Sequence, residues 1–368
     1  MTLKACWIAA LLIASFTVCG CESFHSNICN VSIGPTKGIV LQGKTCDYPG
    51  LVTLPDGNLL AANPCLGSII MTELSRDKGA TWEAGTSINV NGSVDAIALL
   101  PNGKLLLTTS LLGGVPIGVP IYMFGTIGTN DVITWSAPVS VNTPRWTAGC
   151  WAVSPVVSLG NGALLWPVWC FTDATETTGS STVLLSKDGG VTWPKQVTVG
   201  NAITDGRDYD ESAAVVYPNS DIVMIIRQTS LGRTDQFGSF WRSKSTDGGN
   251  TWSAPTPIAV NTVVGRPALV LLPSGGLVLL SRSRSGTGFG TSWDEGVTFS
   301  VFTDLGINSS REYDLYDAMS LLPDGSVAVV AARFTSGGTS SEIVYRNLVD
   351  RCSSSCGASG HVSCSGGL

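Results

Sequence analysis

Ser75-Arg-Asp77-Lys-Gly79-Ala-Thr81-Trp82 is the stretch on which the fold turns, because it is not alone. The same octad, Ser-x-Asp-x-Gly-x-Thr followed by Trp or Phe, returns at 186–193, 245–252 and 292–299. Average composition predicts roughly one such octad in several thousand chains of this length, so four copies mark an internal repeat. Thr134-Trp-Ser-Ala-Pro138 is a decayed copy that matches Thr251-Trp-Ser-Ala-Pro255. The octad suits a corner between strands: Asp accepts backbone N–H groups, Gly permits the turn, and the aromatic packs between repeats. These boxes are read as structural, so their Asp and Trp residues are not candidates for chemistry.

A second unit surrounds the first. An apolar strand, a Pro/Gly/Asn turn and another apolar strand read Leu51-Val-Thr-Leu-Pro55-Asp-Gly57-Asn-Leu-Leu60. The turn recurs at Pro101-Asn-Gly103, Gly160-Asn-Gly162, Pro218-Asn-Ser220, Pro273-Ser-Gly275 and Pro323-Asp-Gly325, at intervals of 46 to 59 residues. Each copy reads as a β-hairpin closed by a two-residue turn. Six units of about fifty residues, each with room for four strands, describe an all-β six-bladed β-propeller with four-stranded antiparallel blades. A stacked solenoid is the alternative, but the chain has neither helical periodicity nor solenoid-length repeats.

Composition fits this reading. Of 368 residues 43% are hydrophobic and only 13% charged, with 43 Gly and 18 Pro, as expected of short strands and tight turns. The net charge of −6 leaves no basic patch for a phosphate backbone, which argues against nucleic-acid binding. Residues 1–20 read as a signal peptide: Lys4, an apolar run from Cys6 to Val18, and small Val18 and Gly20 before Cys21. The expected locale is extracellular, with anchoring at Cys21 as the variant. The propeller is expected over 21–350 and a Cys/Ser/Gly-rich tail over 351–368. No later segment is long and apolar enough for a transmembrane helix.

Cleavage leaves nine cysteines, of which Cys150 and Cys170 bracket one hairpin and are the expected disulfide; other pairings stay open. No paired CxxC pattern or Ca²⁺ loop is present, so neither metal nor cofactor is expected. The chain is expected to act as a monomer. Asn30, Asn91 and Asn308 begin glycosylation triplets.

Only two histidines occur, His25 and His361, both outside the repeats. A histidine base, a Ser-His-Asp triad or a histidine-ligated metal is thereby excluded from the propeller body, leaving carboxylates, Tyr and Arg. Those are the tools of glycoside hydrolases. In a propeller the pocket lies on the axis, where the innermost strands begin. Just before the hairpins the sequence turns polar there: Asp47-Tyr48, Ser93-Val-Asp95, Asp208-Tyr209-Asp210-Glu211, Gly265-Arg266 and Tyr313-Asp314-Leu-Tyr316-Asp317. Trp151 in the third unit offers a platform for sugar stacking.

Boxes and hairpins together resemble the sialidase superfamily across nearly the whole chain. Glu211-Ser-Ala-Ala-Val-Val-Tyr-Pro leading to Ile225-Ile226-Arg227 looks like the family's Glu and one of its carboxylate-binding arginines. Arg284 stands eight residues before Ser292, as the third arginine does, with Arg282 an equally placed neighbour. Tyr316 precedes Pro323 by seven, the spacing of the family's tyrosine. Two positions depart: Asp47-Tyr48-Pro49 stands where the family has Arg-Ile-Pro, and Asn63–Ser68 lacks the acid/base carboxylate.

The resemblance implies that Tyr316 is the nucleophile, that Glu211 takes its proton, and that Arg227 and Arg284 bind an acidic group. From their positions ahead of the first two hairpins Asp47 or Asp95 is expected to replace the missing acid, and Arg266, Trp151 and Asp317 are expected to line the substrate site. The expected activity is a secreted sialidase-like glycoside hydrolase acting on terminal acidic sugars of glycans. Two alternatives stand beside it. One is a neutral-glycan hydrolase resembling exo-arabinanases, with Asp47, Asp95, Asp210 and Glu211 as its carboxylates. The other is a glycan-binding, lectin-like propeller.

Overall fold

In the computed structural model the Pro-Asn-Gly signals become hairpins of two kinds. In five units the residue before the turn proline pairs with the residue four further on: Leu54 N–H donates to Asn58 O at 2.8 Å, and Gly57 N–H donates to Leu54 O at 2.9 Å. These are three-residue loops whose last member has positive φ, filled by Gly57 (+89°), Gly103 (+79°), Ser220 (+70°), Gly275 (+89°) and Gly325 (+80°). The expected two-residue turn occurs only at Asn161-Gly162, where Gly160 pairs directly with Ala163. The difference is chemical. Proline fixes φ near −65° and so starts a turn with negative φ, leaving a third residue to reverse the chain. Asn161-Gly162 has no proline, and both residues adopt positive φ.

The structure describes residues 28–44, 46, 48–65, 69–90, 92–111, 118–152, 154–171, 178–229, 238–260, 265–282, 286–307, 316–334 and 341–353. The expected signal peptide, the stretch beyond Ser353, Asp47 and Arg284 lie outside them. Residues 30–351 form six antiparallel sheets. Blade I is Gly50–Thr53, Leu59–Cys65, Ile69–Ser75 and Glu83–Asn89. Blade II runs from Gly92–Leu99 through Leu105–Leu111 and Val119–Ile127 to an outer strand split into Ile133–Trp135 and Val139–Ser140. Blade III has a split inner strand, Cys150–Ala152 and Val157–Gly160, then Ala163–Phe171, Gly179–Ser186 and Lys195–Gly200. Pro155, which has no N–H for the ladder, lies in the break.

Blade IV is Asp208–Val216, Ile222–Thr229, Ser239–Ser245 and Thr256–Ile258. Blade V is Ala268–Leu271, Leu277–Arg282, Thr287–Ser292 and Thr303–Ile307. Blade VI takes Asp317–Leu321, Val327–Phe334 and Ser341–Ser353 from the end of the chain and Ile28–Lys44 from its beginning as the outermost strand. No helix among the described residues is long and apolar enough to cross a membrane.

The four boxes are one structure repeated. The serine hydroxyl donates to aspartate Oδ1 and accepts the glycine N–H, while the aspartate takes the threonine N–H and hydroxyl, all at 2.6–2.9 Å. The threonine hydroxyls of Thr192 and Thr251, with further hydrogen bonds, pull Asp188 and Asp247 down to about 2. The corner aims its aromatic at the preceding blade. Trp82 meets Tyr345 of blade VI, Trp193 meets Tyr122 of blade II, Trp252 packs among Leu165 and Val183 of blade III, and Phe299 among Val223 and Ile225 of blade IV. The decayed copy keeps this duty, since Trp135 packs on Leu60 of blade I.

The disulfide Cys150–Cys170 joins residues in register on blade III, as expected, and Cys46–Cys65 ties the entry of blade I to its second strand. Below Cys65, Asn63 donates through Nδ2 to Glu73 Oε2 on the face that blade I turns to blade VI. Both residues are buried, and burial lifts Glu73 to about 7.

Two outcomes are expected in unfolding experiments. Ser220→Gly removes a left-handed serine and raises stability by about 0.5–1 kcal/mol in urea denaturation. Glu73 has a folded pKa above its ordinary 4.5, so its contribution is fully present in acid and lost as pH rises through about 7. Glu73→Gln is expected to gain on the wild type by up to about 3 kcal/mol between pH 4 and pH 9. A difference that stays flat over that range refutes the assignment.

Candidate functional site

The strands of blade IV fall out of register at one point. Tyr209 faces Gln228 and Ser212 faces Ile226, so Asp210 and Glu211 together stand opposite Arg227. Such a bulge bends the strand and re-aims its side chains. Arg227 Nη1 donates to Glu211 Oε2 at 2.5 Å and lies 3.5 Å from Asp210 Oδ2, with all three residues buried. Burial alone would raise the Glu211 carboxyl, but the Arg227 guanidinium overrides it and holds Glu211 below the usual carboxylate range.

Glu211 offers its other oxygen to the axis. Tyr316, just ahead of the inner strand of blade VI, donates its hydroxyl to Glu211 Oε1 at 3.1 Å. Its backbone is held by Ala332 N–H, which donates to Tyr316 O at 3.2 Å. The Tyr48 ring stacks on the Tyr316 ring at 3.9 Å between centroids, 25° from parallel. The guanidinium carbons of Arg266 and Arg282 lie 4.8 and 5.6 Å from the same centroid. Burial, then the charge of Glu211, push the Tyr316 hydroxyl well above the ordinary tyrosine range.

Arg266 and Asp317 meet beside Tyr316. Arg266 Nη2 donates to Asp317 O at 3.3 Å, and the Asp317 carboxylate accepts from Thr287 Oγ1 at 3.0 Å. Burial raises Asp317 to about 6. Both residues border an axial cavity of about 80 Å³ that also touches Gly50, Ala96, Ser154 and Ala213.

Arg282 ends the second strand of blade V and is 4% exposed. Its Nε and Nη1 are buried without a hydrogen-bond partner among the described residues. Its stem lies against Gly265, where a Cβ would come within 2.3 Å of Arg282 Cγ and Nε, so only glycine fits. A buried guanidinium with donors to spare can hold a carboxylate or another oxygen acceptor.

The expected site residues therefore divide. Glu211, Arg227, Tyr316, Arg266 and Asp317 come together, with Arg282 as the described guanidinium from the Ser281–Ser285 run. Asp95 is the extra residue of a bulge between Val94 and Ala96 in blade II. Trp151 packs with Ala148, Trp169 and Phe171. Sequence reasoning missed the stacking of Tyr48. A signal existed: Tyr48, Glu211, Arg266 and Tyr316 each stand seven residues before their turn prolines, Pro55, Pro218, Pro273 and Pro323. Among the described residues no group of three or more His, Cys, Asp and Glu is arranged to hold a metal ion.

The model of the BNR repeat-like domain matches residues 121–329, and the chain belongs to that family. No curated protein sequence matches the chain. Among solved structures it is similar to an α-L-arabinanase from Penicillium chrysogenum complexed with arabinobiose (TM-score 0.65, 16% identity, 87% of this chain and 98% of that one). A Fusarium graminearum α-L-arabinofuranosidase with arabinobiose gives 0.67 at 15% identity, covering 85% and 97%. A Streptococcus pneumoniae sialidase gives 0.61 at 14%, covering 85% and 69%. The fold is thus one shared with glycoside hydrolases.

Arg227→Met leaves the carboxylates of Asp210 and Glu211 buried without that cation. The expected cost is about 3–5 kcal/mol in urea unfolding, with part recovered when Glu211→Gln is added. Equal stability of Arg227→Met and wild type would show that the pair contributes nothing.

Proposed function

We propose that the protein is a secreted glycoside hydrolase that removes a terminal acidic sugar from extracellular glycans, with Tyr316 as nucleophile and Glu211 as its base. The observation that carries this reading is the 3.1 Å contact between Tyr316 Oη and Glu211 Oε1 beneath a cluster of three guanidiniums. Tyr316 is neutral at rest. Its Oη bonds to the anomeric carbon while Glu211 takes the phenolic proton and the glycosidic bond breaks toward the leaving oxygen. Arg227 keeps Glu211 ionised and ready, and the nearby cations favour the negative charge that builds on Oη. A neutral nucleophile suits an anionic sugar, an exception to the two-carboxylate rule.

The leaving oxygen takes a proton from Asp47 or Asp95, the carboxylates that the sequence offers just before the first two hairpins. Water then attacks the tyrosyl-linked sugar. That carboxylate removes the water's proton, and Glu211 returns its own to Tyr316. The spare donors of Arg282 receive the sugar's acidic group. The disulfides Cys46–Cys65 and Cys150–Cys170 and the apolar run from Cys6 to Val18 support an extracellular setting.

A neutral-glycan reading keeps one specific support: the arabinan-acting neighbours cover 97–98% of their own lengths, against 69% for the sialidase. Release of 4-methylumbelliferone from sialoside and arabinofuranoside conjugates separates the readings. Sialoside cleavage is expected, reduced about 10²–10⁴-fold in both Tyr316→Phe and Glu211→Gln. Arabinoside cleavage that survives Tyr316→Phe moves the chemistry to the carboxylates. Inactivity on both conjugates, with binding on a glycan array, makes the protein a lectin.

A further inference from the structure

The ring that stacks on Tyr316 comes from another blade. Tyr48 has φ of +55°, the left-handed region, although it is neither glycine nor asparagine and is followed by Pro49. That conformation is disfavoured for any residue with a Cβ, and a following proline adds its own clash. Such strain persists only where the surroundings over-determine it, and it gathers at functional sites. Both flanks of Tyr48 are fixed here. Cys46, two residues before it, is bonded to Cys65, and Gly50, two after it, pairs with Ala62. Held at both ends, the turn lays the Tyr48 ring on that of Tyr316 at 3.9 Å.

We propose that Tyr48 is a positioning residue, whose ring fixes the plane of Tyr316 so that its hydroxyl is held on Glu211 and aimed along the axis. The inference rests on Tyr316 acting as the nucleophile. Without the stacked ring, rotation of Tyr316 about its side-chain bonds carries Oη off the 3.1 Å contact with Glu211. Misplacement by about 1 Å is enough to cost about 10²-fold in rate. The effect belongs to the ring rather than to the Tyr48 hydroxyl, since it is the ring faces that touch. It therefore falls on the chemical step more than on substrate binding.

Two substitutions separate ring from hydroxyl. Tyr48→Phe keeps the stack, and Tyr48→Gly removes it while accepting positive φ without strain, so the turn still folds. Each is made in the full chain and assayed on the conjugate that the wild type cleaves. Tyr48→Phe is expected to keep kcat within about threefold, and Tyr48→Gly to lose about 10–100-fold in kcat with little change in KM.

A second readout does not need turnover. With 3-fluorotyrosine incorporated, the Tyr316 resonance is identified by its loss in Tyr316→Phe. It is expected to stay in place in Tyr48→Phe and to move in Tyr48→Gly. An unchanged kcat and an unmoved resonance in Tyr48→Gly overturn the proposal, as does a Phe variant as slow as the Gly one. Full activity in Tyr316→Phe sinks the tyrosine mechanism instead, and the fluorine spectra then still decide whether Tyr48 holds the ring.

Discussion

A carboxylate sealed inside a protein is unstable by several kcal/mol unless a cation meets it, and Arg227 is the cation that meets Glu211. Much of the site follows from that pairing. Because one carboxylate oxygen is occupied by Arg227, the other faces the axis, where the Tyr316 hydroxyl finds it. Because the guanidinium outweighs burial, Glu211 stays charged. The bulge at Asp210-Glu211 makes the pairing possible by setting two residues against Arg227. A regular strand would send neighbouring side chains to opposite faces.

The propeller separates the carboxylates of its boxes from those of the candidate site by sending them to opposite ends of the blades. Box aspartates close the corners between third and outer strands, where each aromatic reaches the blade before it. Glu211, Arg266 and Tyr316 stand at the entry of inner strands, where the blades converge. The ring brings residues more than a hundred positions apart into contact, and no local motif is needed to join them.

The repeat was fully legible in the sequence, because hydrogen bonds within eight residues dictate the box and because a proline-led turn needs only its own residues. The hairpin type was half legible. Reading proline and glycine as a two-residue turn overlooked the negative φ that proline imposes, and only the proline-free Asn161-Gly162 obeyed it. In the site, order and spacing singled out Glu211, Arg227 and Tyr316, whose side chains the fold gathers. The close fit of Arg282 against Gly265 was not readable, since the two residues are seventeen positions apart and meet only in the folded blade. Nor was the stack of Tyr48, which depends on positive φ and a disulfide at Cys46, both products of the folded ring.

The last blade is assembled from both ends of the propeller, with Ile28–Lys44 laid beside Ser341–Ser353. During synthesis the strand made first must wait, its edge unpaired, until some three hundred later residues have emerged. Five blades can form as they appear, but the sixth closes only once Ser341–Ser353 has been made, over the longest loop in the propeller. Ring closure is thus the slow and aggregation-exposed step of folding. It also makes the finished molecule a circle, in which fraying at either end opens the same seam.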